Sequence, residues 1–151
     1  MLFAAVVSEA LGGGVGPTPF IAPYVMAPSA IKYAGSKSQQ KNYLSKIATN
    51  KCHFGVGFSE FIGKRNDAGI TFSDKGLNGR AMFVLDANDA THFLLTDEKG
   101  QIFVVDAKSE NIEIVKLTTV DKTRQYSEVI CKNLESEVLE NSSDSLEPIK
   151  P

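Results

Sequence analysis

The feature that most constrains this chain is a change of hydrophobic period near residue 50. Beyond it, apolar residues come in short runs, many at period two, separated by turn residues. A period of two places alternate side chains on opposite faces of an extended chain, so these runs read as strands. They predict strands over 52–58, 69–73, 80–85, 91–96, 101–105, 112–117 and 126–132. Asp74-Lys75-Gly76, Asn78-Gly79, Asn88-Asp89 and Glu98-Lys99-Gly100 read as the turns between them. In the last of these the glycine suits the positive φ of a hairpin. The apolar face switches near Ile114-Val115, which predicts a bulge. Closely spaced short strands predict a barrel or a two-layer sheet.

Before residue 50 the pattern is helical. A short apolar helix is expected over 3–11, core-facing and stopped by Gly12-Gly13-Gly14. A second is expected over 21–34, with Pro23 harmless in its first turn and Pro28 kinking or delaying it. A third is expected over 36–49, capped by Ser36 or Ser38, with Tyr43, Leu44, Ile47 and Ala48 as its apolar stripe. After Leu134 the chain turns acidic: Glu135, Glu137, Glu140, Asp144 and Glu147 face only Lys150. That composition predicts a solvated, mobile tail. The expected class is therefore α+β: short N-terminal helices (1–50), an antiparallel β-barrel-like middle domain (51–134) and an acidic tail or linker (135–151).

A net charge of -2 gives no general attraction to nucleic acid or anionic membranes. The apolar start is too short to span a bilayer and lacks a basic leader, so neither targeting nor membrane insertion is expected. Cys52 and Cys131 are far apart and outside any Cys-x-x-Cys pair, which reads as buried reduced thiols and a cytoplasmic location. His53 and His92 have no second ligand at metal spacing. Gly12-Gly13-Gly14-x-Gly16 follows a helix rather than a strand, which excludes a dinucleotide fingerprint.

Four local patterns, in order, resemble one family. Gly35-Ser36-Lys37-Ser38-Gln39-Gln40-Lys41-Asn42-Tyr43-Leu44-Ser45-Lys46-Ile47-Ala48 is similar to a helix reading G-S-x-x-Q-K-x-x-Y/W-L-P-x-I-A, with Gln40 for lysine and Ser45 for proline. Phe54-Gly55-Val56-Gly57-Phe58-Ser59-Glu60 is similar to a strand ending in Thr/Ser-Glu. Leu77-Asn78-Gly79-Arg80-Ala81-Met82-Phe83-Val84-Leu85 resembles L-N-G-x-K-x-W/F-V-T/S, and Asp89 to Leu95 resembles A-D-x-F-L-V. Asp121-Lys122-Thr123-Arg124 and the strand after it resemble D-x-T-R-x-x-x-V-x-F. These are patterns of the acyl-CoA dehydrogenases, and together they run from about residue 35 to 132.

The resemblance implies the end of that family's N-terminal helical region followed by its middle β-domain. It implies FAD as cofactor, an acyl-CoA thioester as substrate and homo- or hetero-oligomeric subunits. The reaction is α,β-dehydrogenation, in which a carboxylate takes the α-proton and the flavin accepts the β-hydride. Carried over by position, Ser59 is the flavin-contacting hydroxyl, Phe58 the residue before it, and Phe83 the aromatic that packs on the flavin ring. Leu85 stands where the family has a hydroxyl beside the flavin. The loop Glu60-Phe61-Ile62-Gly63-Lys64-Arg65-Asn66-Asp67 lacks the family's proline and Gly-Ser-Asp, and Lys64-Arg65 read as solvated. The family's catalytic base lies in a C-terminal helical bundle, so no catalytic residue is assigned, and Glu135 and Glu137 are not read as the base. The expectation is one wall of a flavin site, with weak or absent FAD binding and no dehydrogenation by the isolated chain. The alternatives are a non-catalytic, degenerate subunit of a heteromeric dehydrogenase, or a stand-alone β-domain for ligand or protein binding.

Overall fold

The computed structural model describes residues 2–58 and 68–142. Among these residues three α-helices precede an eight-stranded sheet, so the fold is α+β. Helix α1 (Leu2–Gly13) ends in the glycine run, where the Gly14 and Gly16 N–H groups donate to the Ala10 and Leu11 carbonyls. It was expected to face the core, yet it buries no residue, and Phe3 is 87% exposed. Only its Ala4, Val7, Ser8 and Leu11 side is half-covered.

Pro28 acts on the second helix as its chemistry requires. It has no N–H to bond the preceding turn, and the chain before it widens into a π-helical turn, Ala22–Met26, closed by Ala27 N–H donating to the Ala22 carbonyl. Helix α2 (Ala27–Ala34) begins there. Helix α3 (Lys37–Ala48) opens with a complete capping box: Ser36 Oγ accepts from Gln39 N–H, and Gln39 Oε1 accepts from Ser36 N–H. Tyr43 and Ile47 are buried as expected and Leu44 is half-buried, but Ala48 is exposed.

The strands are β1 (Phe54–Gly57), β2 (Gly69–Ser73), β3 (Gly76–Leu85), β4 (His92–Thr96), β5 (Ile102–Asp106), β6 (Ile112–Lys116), β7 (Tyr126–Leu134) and β8 (Glu137–Val138). Their order is β6-β7-β3-β1-β4-β5-β8, with β2 also paired to β3. Every pairing is antiparallel except β1 with β4. Among the described residues the sheet does not close into a barrel, because β6 and β8 end the order without meeting. It does curl. The Phe72 ring of β2 lies 4.9 Å from the Phe103 ring of β5, and Glu98 N–H donates to the Ile70 carbonyl.

Both faces of the sheet are apolar, and each has its own core. One core sits inside the curl and holds Ile70, Leu77, Val84, Phe93, Leu95, Phe103 and Val129. The other lies between sheet and helices and holds Ala27, Ile31, Tyr43, Ile47, Phe54, Val56, Leu94 and Val104. Phe93 and Leu95 face one way and Leu94 the other, which is the period of a strand buried on both sides.

Three local expectations are corrected. Asn78-Gly79 is not a turn but lies inside β3, at a register shift against β7. Gly79 has φ +118, and any Cβ there would collide with the Gly69 carbonyl oxygen, so glycine marks a bulge rather than a chain reversal. The bulge expected at Ile114-Val115 is absent: β6 pairs with β7 in unbroken register. As the last strand in the order β6 leaves both residues partly in solvent, so its apolar switch forces no kink. The tail is not solvated throughout. Strand β8 pairs with β5, and Leu139 is fully buried.

Candidate functional site

Of the residues singled out in the sequence, Phe58, Phe83 and Leu85 lie where β1 ends beside the second half of β3. Val56 pairs with Leu85 in antiparallel register, so the end of β1 runs along residues 81–85. Gly57 is there because β3 comes close: a Cβ would lie 2.9 Å from Val84 and 3.0 Å from Leu95. Phe58 follows and packs half-buried against the helix-side core, as do Leu85, Met26 and Leu44.

Phe83 owes its position to a second irregularity. Ala81 pairs with Val129 and Val84 with Ser127, so β3 carries one extra residue across this stretch. Phe83 takes up the distortion at φ 56, a left-handed conformation that phenylalanine adopts only under constraint. Phe83 is 47% exposed rather than buried in either core. It meets Tyr126 edge-on, with centroids 6.4 Å apart and planes at 80°. Tyr126 in turn pairs with Leu85. Phe58, Leu85, Phe83 and Tyr126 thus adjoin where β1, β3 and β7 run side by side, and this group of side chains is the shelf. Ser59 and the loop 60–67, including Lys64-Arg65, lie outside the described residues.

Tyr126 and Asp86 were not singled out from the sequence. Tyr126 begins a recognisable strand, but its place beside Phe83 depends on cross-strand register. Asp86 follows Leu85 at φ 54, and its carboxylate accepts a hydrogen bond from the Ala22 N–H. Burial pushes its pKa up, and Oδ2 is buried with no hydrogen-bond partner. It lines a small cleft with Thr18, Asn88, Lys122, Arg124 and Gln125, next to the shelf.

Two other clusters matter chemically. Cys52 Sγ lies 3.2 Å from His92 Nδ1, and Thr91 Oγ1 lies 2.9 Å from the same nitrogen. Burial raises the Cys52 thiol pKa and lowers that of His92, so both hold their neutral forms. This is a hydrogen-bonded thiol and imidazole, not a thiolate nucleophile. Both cysteines are buried and outside any disulfide. No group of three or more His, Cys, Asp or Glu side chains is arranged to hold a metal among the described residues. Glu137 is the second correction to the tail: its carboxylate accepts from Gln39 Nε2 at 2.7 Å and from Tyr43 Oη at 2.6 Å. It is aimed by side chains after all, but at helix α3 and not at the shelf.

A flavin ring fits the shelf in one respect and not in another. Phe83 and Tyr126 offer aromatic surface to a flat conjugated ring. Leu85 offers no hydrogen bond, and the spare acceptor on the next residue belongs to the neighbouring cleft.

No family model matches the chain, and no curated protein matches it in sequence. Solved structures do match in fold. The Mycobacterium tuberculosis ChsE4-ChsE5 complex superimposes on 90% of this chain with a TM-score of 0.67 at 17% identity. The glutaryl-coenzyme A dehydrogenase glutaryl-CoA complex covers 88% with a TM-score of 0.66 at 16% identity. A Mycobacterium smegmatis glutaryl-CoA dehydrogenase in complex with FADH2 covers 78% with a TM-score of 0.54 at 17% identity. The chain spans 38%, 38% and 32% of the length of those proteins, respectively. Its fold is shared with a part of each of these three proteins.

Proposed function

We propose that this chain forms one wall of the flavin and thioester site of an FAD-dependent acyl-CoA dehydrogenase. The observation that carries this reading is the shelf. Phe58, Phe83 and Leu85 were assigned to the flavin wall by position alone, and they lie together at one strand end in a fold shared with a dehydrogenase solved with FADH2. In this reading the bound flavin supplies hydride acceptance. Phe83 and Tyr126 present aromatic surface to its ring, Phe58 and Leu85 exclude water at its margin, and the backbone leaving β1 leads to Ser59. None of the four described shelf side chains is a carboxylate, so the α-proton must be taken by a group outside this set. Acyl-CoA is the substrate class and a homo- or hetero-oligomer of dehydrogenase subunits the assembly.

The test is titration of the 15N-labelled chain with flavin up to millimolar concentration. Shifts should concentrate at Phe58, Phe83, Leu85 and Tyr126 and weaken in Phe83→Ala. Saturating flavin that leaves these four amides unmoved would falsify the reading. Acyl-CoA with a dye acceptor should give no reduction by this chain, and measurable reduction would overturn the assignment of the base elsewhere.

Leu85 favours a second reading, a non-catalytic subunit paired with a competent one, because it removes a polar contact to the flavin. The absorbance spectrum of the purified native protein separates the two. A flavin band supports the first, and its absence with retained pairing to a flavin-bearing subunit supports the second.

A further inference from the structure

The segment after β7 crosses from the sheet to the helices and is held at both ends. On the sheet side β8 pairs with β5, and Leu139 N–H donates to the Ile102 carbonyl at 2.8 Å. On the helix side Asn141 N–H donates to the Ala34 carbonyl at 2.8 Å, and Asn141 Nδ2 reaches the Gly35 carbonyl at 3.4 Å. Between these points Leu139 is inserted fully buried into the core that joins the two layers.

Gln39 is the node of this arrangement. It is only 6% exposed, and its amide serves two elements at once. Nε2 donates to Glu137 Oε1 at 2.7 Å and to the Val138 carbonyl at 2.9 Å. Oε1 accepts from Ser36 N–H at 3.0 Å, closing the capping box of α3, and from Glu140 N–H at 3.2 Å. One turn along the helix, Tyr43 donates to the other Glu137 oxygen at 2.6 Å. If the segment leaves, the Gln39 Nε2 loses both acceptors and Oε1 loses one of its two donors. Helix α3 would then start from an amide that has lost three of its four hydrogen bonds. The reverse also holds: fraying of the first turn of α3 moves the amide that holds Glu137, Val138 and Glu140.

We infer that residues 137–142 form a clasp locking the helical layer to the sheet, coupled through Gln39 to the first turn of α3. Clasp and turn open together as one local unit, without unfolding of the β3–β7 part of the sheet. Such a unit lies below the global stability and is visible to native-state hydrogen exchange.

The experiment is hydrogen exchange on the full chain and on two variants, Gln39→Ala and Glu137→Ala. Glu137→Ala leaves both capping-box partners in place and touches only the clasp, so it remains informative if Gln39→Ala fails to fold. In the wild type, the amides of Leu139 and Asn141 should share one opening free energy and denaturant slope with those of Ser36 and Gln40. In either variant all four should exchange faster by a common factor of about 10 or more, corresponding to about 1.4 kcal/mol, while Arg80 and Val129 keep their protection. Faster exchange at Leu139 and Asn141 with unchanged Ser36 and Gln40 would overturn the coupling. Loss of protection at Arg80 and Val129 in step with the clasp would show global unfolding instead.

Discussion

At the scale of single residues, conformation and environment divide the site from the core. Phe83 is on a strand, where an aromatic residue ordinarily packs inward, but the extra residue in β3 turns it outward at φ 56. With 47% of it in solvent, Phe83→Ala should change thermal stability by no more than about 1 kcal/mol, while weakening any flavin interaction. A larger loss on thermal denaturation would mean that the ring is a core element. His92 behaves oppositely. Burial lowers its pKa, outweighing the favourable field of Asp106, so the folded chain keeps the imidazole neutral where the unfolded chain protonates it. The unfolded state therefore binds the extra proton, and stability should fall as pH drops through the ordinary histidine value of about 6.5. Melting curves from pH 8 to 5 should show this decline, and His92→Gln should flatten it. Cys52 adds the opposite limb: its raised pKa means the unfolded chain ionises first, so stability falls as pH rises past the ordinary thiol value. These environments were not legible in sequence, where His92 and Cys52 are 40 positions apart.

At the scale of elements, the helices were legible because their signals are local. Ser36 and Gln39 are three residues apart, and Pro28 announces its own disruption. Ser36→Ala should lower stability by about 1 kcal/mol, read as a shift of the urea midpoint at unchanged m-value. The strands were legible from their period, but the bulges were not. Asn78-Gly79 carries the composition of a hairpin turn, and only the neighbouring β2 and β7 decide that it continues a strand. Gly79→Ala should therefore cost several times what a surface glycine does, more than about 2 kcal/mol, since it meets both a left-handed φ and the Gly69 carbonyl. A mild effect there would argue that the bulge relaxes freely. Ile114-Val115 is the mirror case: an apolar switch that would demand a bulge in a central strand demands nothing at an edge.

At the scale of the whole molecule, two cores on two faces of one sheet hold the chain together, and the segment after β7 joins them. Leu139→Ala should cost about 2–5 kcal/mol, comparable to a central core position such as Leu94, although it lies in a stretch whose composition reads as solvent-exposed. A calorimetric loss under about 1 kcal/mol would place Leu139 outside the cooperative core. The helical layer packs on β1, β4 and β5, and on β3 it meets Leu85 at the strand end. That uneven coverage leaves Phe83 about half in solvent. Among the described residues no helix is long and apolar enough to cross a membrane.

The amino-acid sequence by itself determined the α+β class and, among the described residues, the three α-helices and seven of the eight strands. Each of those rests on periods, caps and ordered motifs that act over a few neighbouring residues. Tertiary structure alone decided that the sheet stays open, that Phe83 turns out toward Tyr126 and that Glu137 is aimed at Gln39 and Tyr43. Those outcomes depend on strand register and on contacts between residues as far as 98 positions apart, which no local pattern encodes.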